Sequence, residues 1–405
     1  MKDIIQNRDI VVVGQQGWDS DIGSNNINIA KEFSKLNRVL YVNSPLDTIT
    51  ILKNKDDEKI KKRINIINGE EKDLINVGEN IWTFYPKIKI LSANWIKFPF
   101  LFDLINKSNN KKFANEIKRA IDELGFKNII LFNDSDMFRS FYLKEFLKPD
   151  VSIYYSRDNL IAVDYWKRHG IRIEAEIIKK SDIAVANSTY LSEYCKQFNP
   201  NSFYVGQGCD LTIFNKDLIK EEPADIKNIK HPRIGYVGAL FSLRLDLEII
   251  KYIAESKPEW SIILVGPEDD VFKNSDLHSM TNIHFLGSKD SSVLPAYIKY
   301  FDVCINPQLL NEVTIGNYPR KIDEYLAMEK PVVATETIAM SIFKDYTYLA
   351  KNKEDYVRLI EIALREDNES KREERRKFAA SHTWENNVKE IYKAINYIYK
   401  LRNGN

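Results

Sequence analysis

Two passages of the chain repeat one pattern of apolar and polar positions. The first is DIVVVG (residues 9–14), then the loop QQGWDSDIGSNN, then the helical pattern INIAKEFSKL. The second is RIGYVG (233–238), then ALFSLRLD, then LEIIKYIAES. Each is a short β-branched run ending in glycine, a loop and an amphipathic helix. Further strand-like runs are RVLYVNS (38–44), NIILFND (128–134), SIYYSRD (152–158) and DIAVANS (182–188) in the first half. The second half adds SIILVGP (261–267), NIHFLGS (282–288), DVCINP (302–307) and PVVAT (331–335). Helical patterns separate most of these runs, which predicts α/β architecture with parallel sheets and right-handed crossovers. Ligands of such sheets sit beyond the carboxyl ends of the strands.

The polar, proline-flanked stretch 210–232 reads as a linker. It divides the chain into a first domain, 1–210, and a second, 211–380. In the remainder, 381–405, Trp384, Val388, Ile391, Tyr392, Ile395, Ile398 and Tyr399 recur at helical spacing and make one apolar stripe. That helix must dock, either within the second domain or back on the first. Segments 53–63 and 369–377 mix both charge signs and read as solvated faces.

Composition narrows the function. A chain of 405 residues suits two α/β domains. With 59 basic and 58 acidic groups the net charge is +1, so no global field draws nucleic acid. Cys195, Cys209 and Cys304 show neither disulfide nor zinc spacing, and the histidines lack metal-ligand spacing. No metal or cofactor is expected. The N-terminal sequence is not that of a signal peptide. The most apolar stretch, ILSANWIKFPFLFDLI, is broken by Lys97, Pro99 and Asp103 and is too short to span a bilayer. The expected compartment is the cytoplasm.

Residues 317–335 read NYPRKIDEYLAMEKPVVAT. Pro319 suits a first helical position. Arg320 and Lys321 would then occupy the first turn, where cations are unfavourable unless an anion joins them. A bound diphosphate would remove that conflict. A surface Lys321–Glu324 pair, contributing about 0.3–0.5 kcal/mol, would also account for the pattern. The residues alone leave both readings open.

The stretch resembles the signature of GT-B glycosyltransferases of the family-4-like and glucuronosyltransferase-like groups. There, a P-x-K-x-x-E-Y-L-A run precedes K-P-V-V-A-T. The likeness extends to GYVG (235–238), LVGP (264–267), HFLGS (284–288), DVCINP, YYSRDN (154–159), residues 174–188 and VGQGCDLTIF (205–214). Teichuronic-acid-type and other surface-polysaccharide enzymes are the kin it suggests. The resemblance implies two Rossmann-like, doubly wound domains facing a cleft. It gives Lys321 to the donor diphosphate and Glu324 to the ribose, with Gly238 and Gly266 in the loops around the nucleotide. Arg320 and Asn317, in the same motif, complete the expected donor set. Two positions depart from the pattern. Gly316 stands where many retaining members carry a glutamate, with Glu312 the nearest acid upstream. Glu329 stands where many members have glycine.

Inversion needs a base for the acceptor hydroxyl. Asp158, closing SIYYSRD, is the expected one; a turn cap or a pairing with Arg157 or Arg168 is the alternative. Asp134 and Asp136 read more simply as an Asx turn. Gly14 and Gly17 fit flexible backbone near an acceptor or the diphosphate, since G-Q-Q-G lacks the dinucleotide fingerprint. Residues 85–119 set Tyr85, Trp95, Phe98, Phe100, Phe102 and Phe113 among Lys87, Lys89, Lys97, Lys107, Lys111, Lys112, Lys118 and Arg119. That mixture suits peripheral contact with an anionic membrane, or a core helix with a lysine-rich outer face. The expected function is transfer of a sugar, from a UDP-sugar by resemblance, to a glycan or lipid-linked acceptor in bacterial surface-polysaccharide assembly. A sugar-nucleotide epimerase of the same fold and a silent sugar-nucleotide-binding subunit are the rivals.

Overall fold

The computed structural model describes residues 4–20, 24–54 and 56–404. Residues 21–23 of the loop after the first strand, and Lys55 of the charged segment 53–63, lie outside the described set. The chain forms two compact units, one of residues 1–206 with 384–405 and the other of 207–383.

The first unit is built on an eight-stranded sheet. Its strands are β1 (Asp9–Gly14), β2 (Arg38–Val42), β4 (Leu74–Gly78), β5 (Ile81–Phe84), β7 (Ile130–Asp134), β8 (Val151–Ser156), β9 (Ile183–Ala186) and β10 (Ser202–Tyr204). Two short strands, β3 (Leu46–Asp47) and β6 (Lys89–Ile90), pair separately. The sheet order is β10-β9-β8-β7-β1-β2-β5-β4, parallel except where β4 runs against β5. DIVVVG is buried throughout because β1 lies at the centre, between β7 and β2, with helices on both faces. The helices are α1 (Asn25–Ser34), α2 (Thr48–Lys53), α3 (Glu58–Asn68), α4 (Pro99–Leu124), α5 (Leu143–Leu147), α6 (Asp164–Lys180) and α7 (Thr189–Lys196). Ser24 caps α1 through its hydroxyl, which accepts from the Ile27 amide.

The last helix, Trp384–Arg402, belongs to this first unit. Val388, Ile391, Ile395 and Ile398 enter the core beside Ile29 and Phe33, at roughly 1.5–3 kcal/mol for each buried side chain. Asn387 Nδ2 donates to the carbonyls of Val205 and Gly206, at 2.9 and 2.7 Å. Between the two dockings left open by the apolar stripe, the structure selects the first domain.

The second unit holds six parallel strands in the order β13-β12-β11-β14-β15-β16. They are β11 (Arg233–Val237), β12 (Ser261–Val265), β13 (Ile283–Phe285), β14 (Val303–Asn306), β15 (Val332–Thr335) and β16 (Tyr348–Ala350). Its helices are α8 (Leu247–Ser256), α9 (Asp270–Lys273), α10 (Leu294–Lys299), α11 (Lys321–Ala327), α12 (Lys353–Glu366) and α13 (Glu369–Ala380). The stretch 210–232, expected as a linker, is instead part of this body. Phe214 and Ile226 are buried in its core with Tyr325 and Phe343, and Arg233 donates to the Ile226 and Ile229 carbonyls. Polar composition misled there because the stretch packs through only a few apolar anchors.

Candidate active site

The residues expected on the donor side assemble at the carboxyl end of β11. Gly238 follows this strand with φ +142°, and Gly266 follows β12 with φ +155°. These backbones lie so close that a Cβ on Gly266 would overlap the Gly238 carbonyl oxygen. Only glycine combines that conformation with that approach. The amide of Gly238 donates to Val265 O and that of Gly266 to Gly287 O, both at 2.9 Å, tying three strand ends together.

Lys321 lies against this glycine pair. A Cβ on Gly238 would sit 3.2 Å from its Nζ. The ammonium donates to the Tyr236 hydroxyl at 2.8 Å and lies 4.7 Å from that ring's centroid. Tyr236, not singled out by the sequence, thus holds the lysine beside bare backbone. Tyr325 fixes the helix: its hydroxyl accepts from the Val237 amide at 2.8 Å and donates to the Val237 carbonyl at 3.3 Å. The tyrosine of the E-Y-L-A run is therefore the pin between α11 and β11.

Glu324 lies one turn into α11, its side chain 18% exposed and 3.6 Å from Arg320 Nε. Burial raises its carboxyl above the usual range, against the opposing pull of Arg320 and Lys321. A partly buried acid between two cations is suited to accepting hydrogen bonds from hydroxyls. Asn317 presents a buried Oδ1 that has no partner among the described residues, and its amide donates to Thr314 O. The helix begins later than expected. Arg320 is its N-cap, without a side-chain cap bond, and Pro319 precedes it. Arg320 is consequently not a first-turn residue. Gly316 is buried and Glu312 exposed.

Asp323, next in the helix, is fully buried and accepts from Tyr318 Oη at 2.8 Å, with His382 Nδ1 2.6 Å away and the Cys209 thiol 3.3 Å away. Glu329 ends α11 at φ +64°, a backbone that favours glycine. Its carboxylate meets Lys216 at 2.5 Å and Arg376 at 3.5 Å, which explains a glutamate at this position.

The remaining site residues belong to the first unit. Asp158 lies two residues past β8, which ends at Ser156 rather than at Asp158. Its side chain is 42% exposed and 3.5 Å from Arg157 Nη1. Arg157 Nε donates to Asp134 Oδ1 at 2.8 Å. The register pairs Gly14 with Asp134 and Asp134 with Tyr155, placing these groups at adjacent strand ends. Asp134 is fully buried, and its Oδ2 has no hydrogen-bond partner among the described residues. Burial pushes its carboxyl up to about 6 despite Arg157. Arg157 is held strongly protonated by Asp134 and Asp158, which outweigh its own burial. The expected Asx turn belongs to Asn133 and Asp136: Asn133 Oδ1 accepts from the Asp136 amide at 3.0 Å. Ser135 between them has φ +53°, the kind of backbone outlier that concentrates at functional sites. Gly14 ends β1 and Gly17 follows it; a Cβ on Gly17 would reach within 2.5 Å of Arg63 Nη2 and Asp19 Oδ1.

Residues 231–365 match the family described as Glycosyl transferases group 1. Within the second unit, that segment is therefore similar to the group 1 glycosyltransferases. A Bacillus subtilis (strain 168) protein that carries the name teichuronic acid biosynthesis glycosyltransferase TuaH is 26% identical over 233 residues. That match covers 54% of this chain and 58% of the relative, so less than two thirds of the curated relative is spanned. Among solved structures, sucrose-phosphate synthase from Thermosynechococcus elongatus aligns with a TM-score of 0.67 at 13% identity, over 98% of this chain and 100% of that one. Anabaena HepE, in complex with UDP, aligns with a TM-score of 0.58 at 14% identity, over 98% and 99%. At these identities the structures establish the GT-B fold, and the matched segment contains Asn317, Arg320, Lys321, Glu324, Gly238 and Gly266.

Proposed function

We propose that this chain transfers a sugar from a UDP-sugar to a glycan or lipid-linked acceptor during assembly of a bacterial surface polysaccharide. The convergence of Gly238, Gly266, Tyr236 and Lys321 is the observation that carries the reading. Two side-chain-free loops let a diphosphate approach the backbone, and a held ammonium supplies countercharge as the leaving group forms. Glu324, raised by burial, accepts from the ribose hydroxyls, with Arg320 and Asn317 beside it. Anabaena HepE, which shares the fold, binds UDP, and the teichuronic acid relative lends support to the pathway class.

Asp158 is the proposed base, exposed enough to meet an acceptor and positioned by Arg157. Gly14 and Gly17 mark the backbone at the end of β1 that the acceptor would approach. The protein works in the cytoplasm, peripheral to an anionic membrane that it meets through residues 85–119.

The test is thermal unfolding with UDP, GDP, ADP, CMP and a panel of UDP-sugars. Ligand at 100 times its Kd stabilises by about 2.7 kcal/mol. A rise specific to UDP, lost in Glu324→Ala, supports the donor site; an equal response to every nucleotide overturns it. Asp158→Asn should abolish turnover while keeping the UDP response. Near-normal turnover in that variant removes Asp158 from the mechanism.

A further inference from the structure

The first turns of α4 are apolar on two faces. Phe102, Asn106 and Phe113 are buried in the first unit. On the other side Phe98 is 73% and Phe100 77% exposed, with Leu101 and Leu104 exposed beside them. A neighbouring element extends this surface. Arg168 of α6 donates to the Trp95 carbonyl at 3.0 Å, His169 Nε2 lies 2.7 Å from the Ile96 carbonyl, and the His169 ring stacks on Phe102. These contacts bring exposed Tyr165 alongside exposed Trp95. Two elements thus share one apolar face, rather than scattering single hydrophobic residues.

The charge around it is predominantly positive. Residues 95–111 and 163–172 carry Lys97, Lys107, Lys111, Lys167, Arg168 and Arg172 against Asp103 and Asp164. Asp103 is paired with Arg172 at 2.6 Å. Near the two ends of 85–119, Lys87 and Arg119 are engaged elsewhere, both pairing with Asp73. The membrane-directed part of that region therefore narrows to its middle, residues 95–111, and gains α6.

Beside this face opens a cavity of about 580 Å³ within the first unit, and Trp95 and Tyr165 belong to both. Its wall also holds Trp166, Asn94 and Asn106. Asn106 is 4% exposed, and among the described residues neither its Nδ2 nor the buried Oδ1 of Asn94 has a hydrogen-bond partner. A buried donor and a buried acceptor left open call for a ligand bearing both, and hydroxyl groups supply both. The indole rings offer flat apolar surface to a sugar's C–H face.

We infer that this face enters the headgroup region of an anionic bilayer, and that the cavity receives the saccharide end of an acceptor anchored in that bilayer. Exposed aromatics provide insertion and the surrounding cations provide attraction. The inference rests on the transferase reading and assigns its acceptor to the lipid-linked class.

The full chain is sedimented with vesicles of 30% phosphatidylglycerol in phosphatidylcholine, and with pure phosphatidylcholine. Binding to the anionic vesicles is expected, weakened at high salt and reduced at least tenfold in Phe98→Asp/Phe100→Asp, whose two positions are solvent-exposed. Equal sedimentation of wild type and variant, or none, overturns the membrane face. For the cavity the probe is dodecyl maltoside below its critical micelle concentration, read by tryptophan emission. A saturable change, weakened about tenfold in Asn106→Leu and in Asn94→Leu, is expected. Unsaturable partitioning, or variants that bind like the wild type, overturns the saccharide site. The UDP response, measured on the same samples, reports the donor reading separately. Vesicle binding without a UDP response refutes the transferase reading and leaves the membrane face standing.

Discussion

Asp134→Asn should stabilise the protein at neutral pH. In the folded chain burial pushes the Asp134 carboxyl from 3.8 to about 6, even with Arg157 2.8 Å away. A folded-state value above the unfolded one means that the folded form holds its proton more tightly. Its unfavourable contribution is absent below pH 4, grows between pH 4 and 6, and is complete above 6. The rise from 3.8 to about 6 corresponds to about 3 kcal/mol. A protonated acid and an amide are nearly isosteric, so the two proteins should match near pH 4 and separate by up to about 3 kcal/mol at pH 7. Urea unfolding followed by tryptophan emission at four pH values between 4 and 7 measures this. The signal comes mainly from the first unit, which holds Trp18, Trp82, Trp95, Trp166 and Trp384, against Trp260 alone in the second. Greater stability at pH 7 should come with lower turnover, because Arg157 loses the partner that places it beside Asp158. A variant less stable than the wild type at pH 7 would refute the reasoning, since the ion pair would then outweigh burial.

Glu174 should behave alike. It is buried, hydrogen-bonded by Tyr154 and Tyr194, and pushed up to about 7 by desolvation; Glu174→Gln should therefore flatten the fall in stability between about pH 4.5 and 7, as read by the same titration. Gly266→Ala, forced against the Gly238 carbonyl, should lower stability by roughly 2–4 kcal/mol. Calorimetry should show the loss, and the UDP response should vanish with it. Glu329→Ala keeps the strained backbone but loses Lys216 and Arg376, whereas Glu329→Gly relieves the φ. The alanine variant should melt first, by about 1 kcal/mol in stability.

The central strands were readable because they are short β-branched runs, buried on both faces and closed by glycine or a polar residue. Three of the four sheet edges were not: β4 is half-exposed and antiparallel, and β10 and β16 are three residues each, whereas the equally short β13 was marked by the glycine after it. Lys321 and Glu324 were legible because one local motif holds them, as were Gly238 and Gly266 at strand ends. Tyr236 was overlooked since its role depends on a lysine 85 positions away. The Asp134–Arg157 pair depends on the β7–β8 register, which no local spacing encodes. Likewise the apolar start of α4 reads as ordinary core until its neighbours show which side is covered.

The chain ends by completing the unit with which it began, and this imposes an order on synthesis. The second unit is one unbroken stretch, 207–383, whereas the first waits for the helix Trp384–Arg402. On the ribosome, the later-made body can finish while the earlier one still shows the seam around Ile29 and Phe33 to solvent. Nascent chains arrested with residue 383 just outside the exit tunnel should carry a protease-resistant second unit and a cleavable first. Arrest some twenty residues later, once the helix has emerged, should protect both. The interval before that helix emerges therefore sets how long the first unit's seam stays open to chaperones and to aggregation.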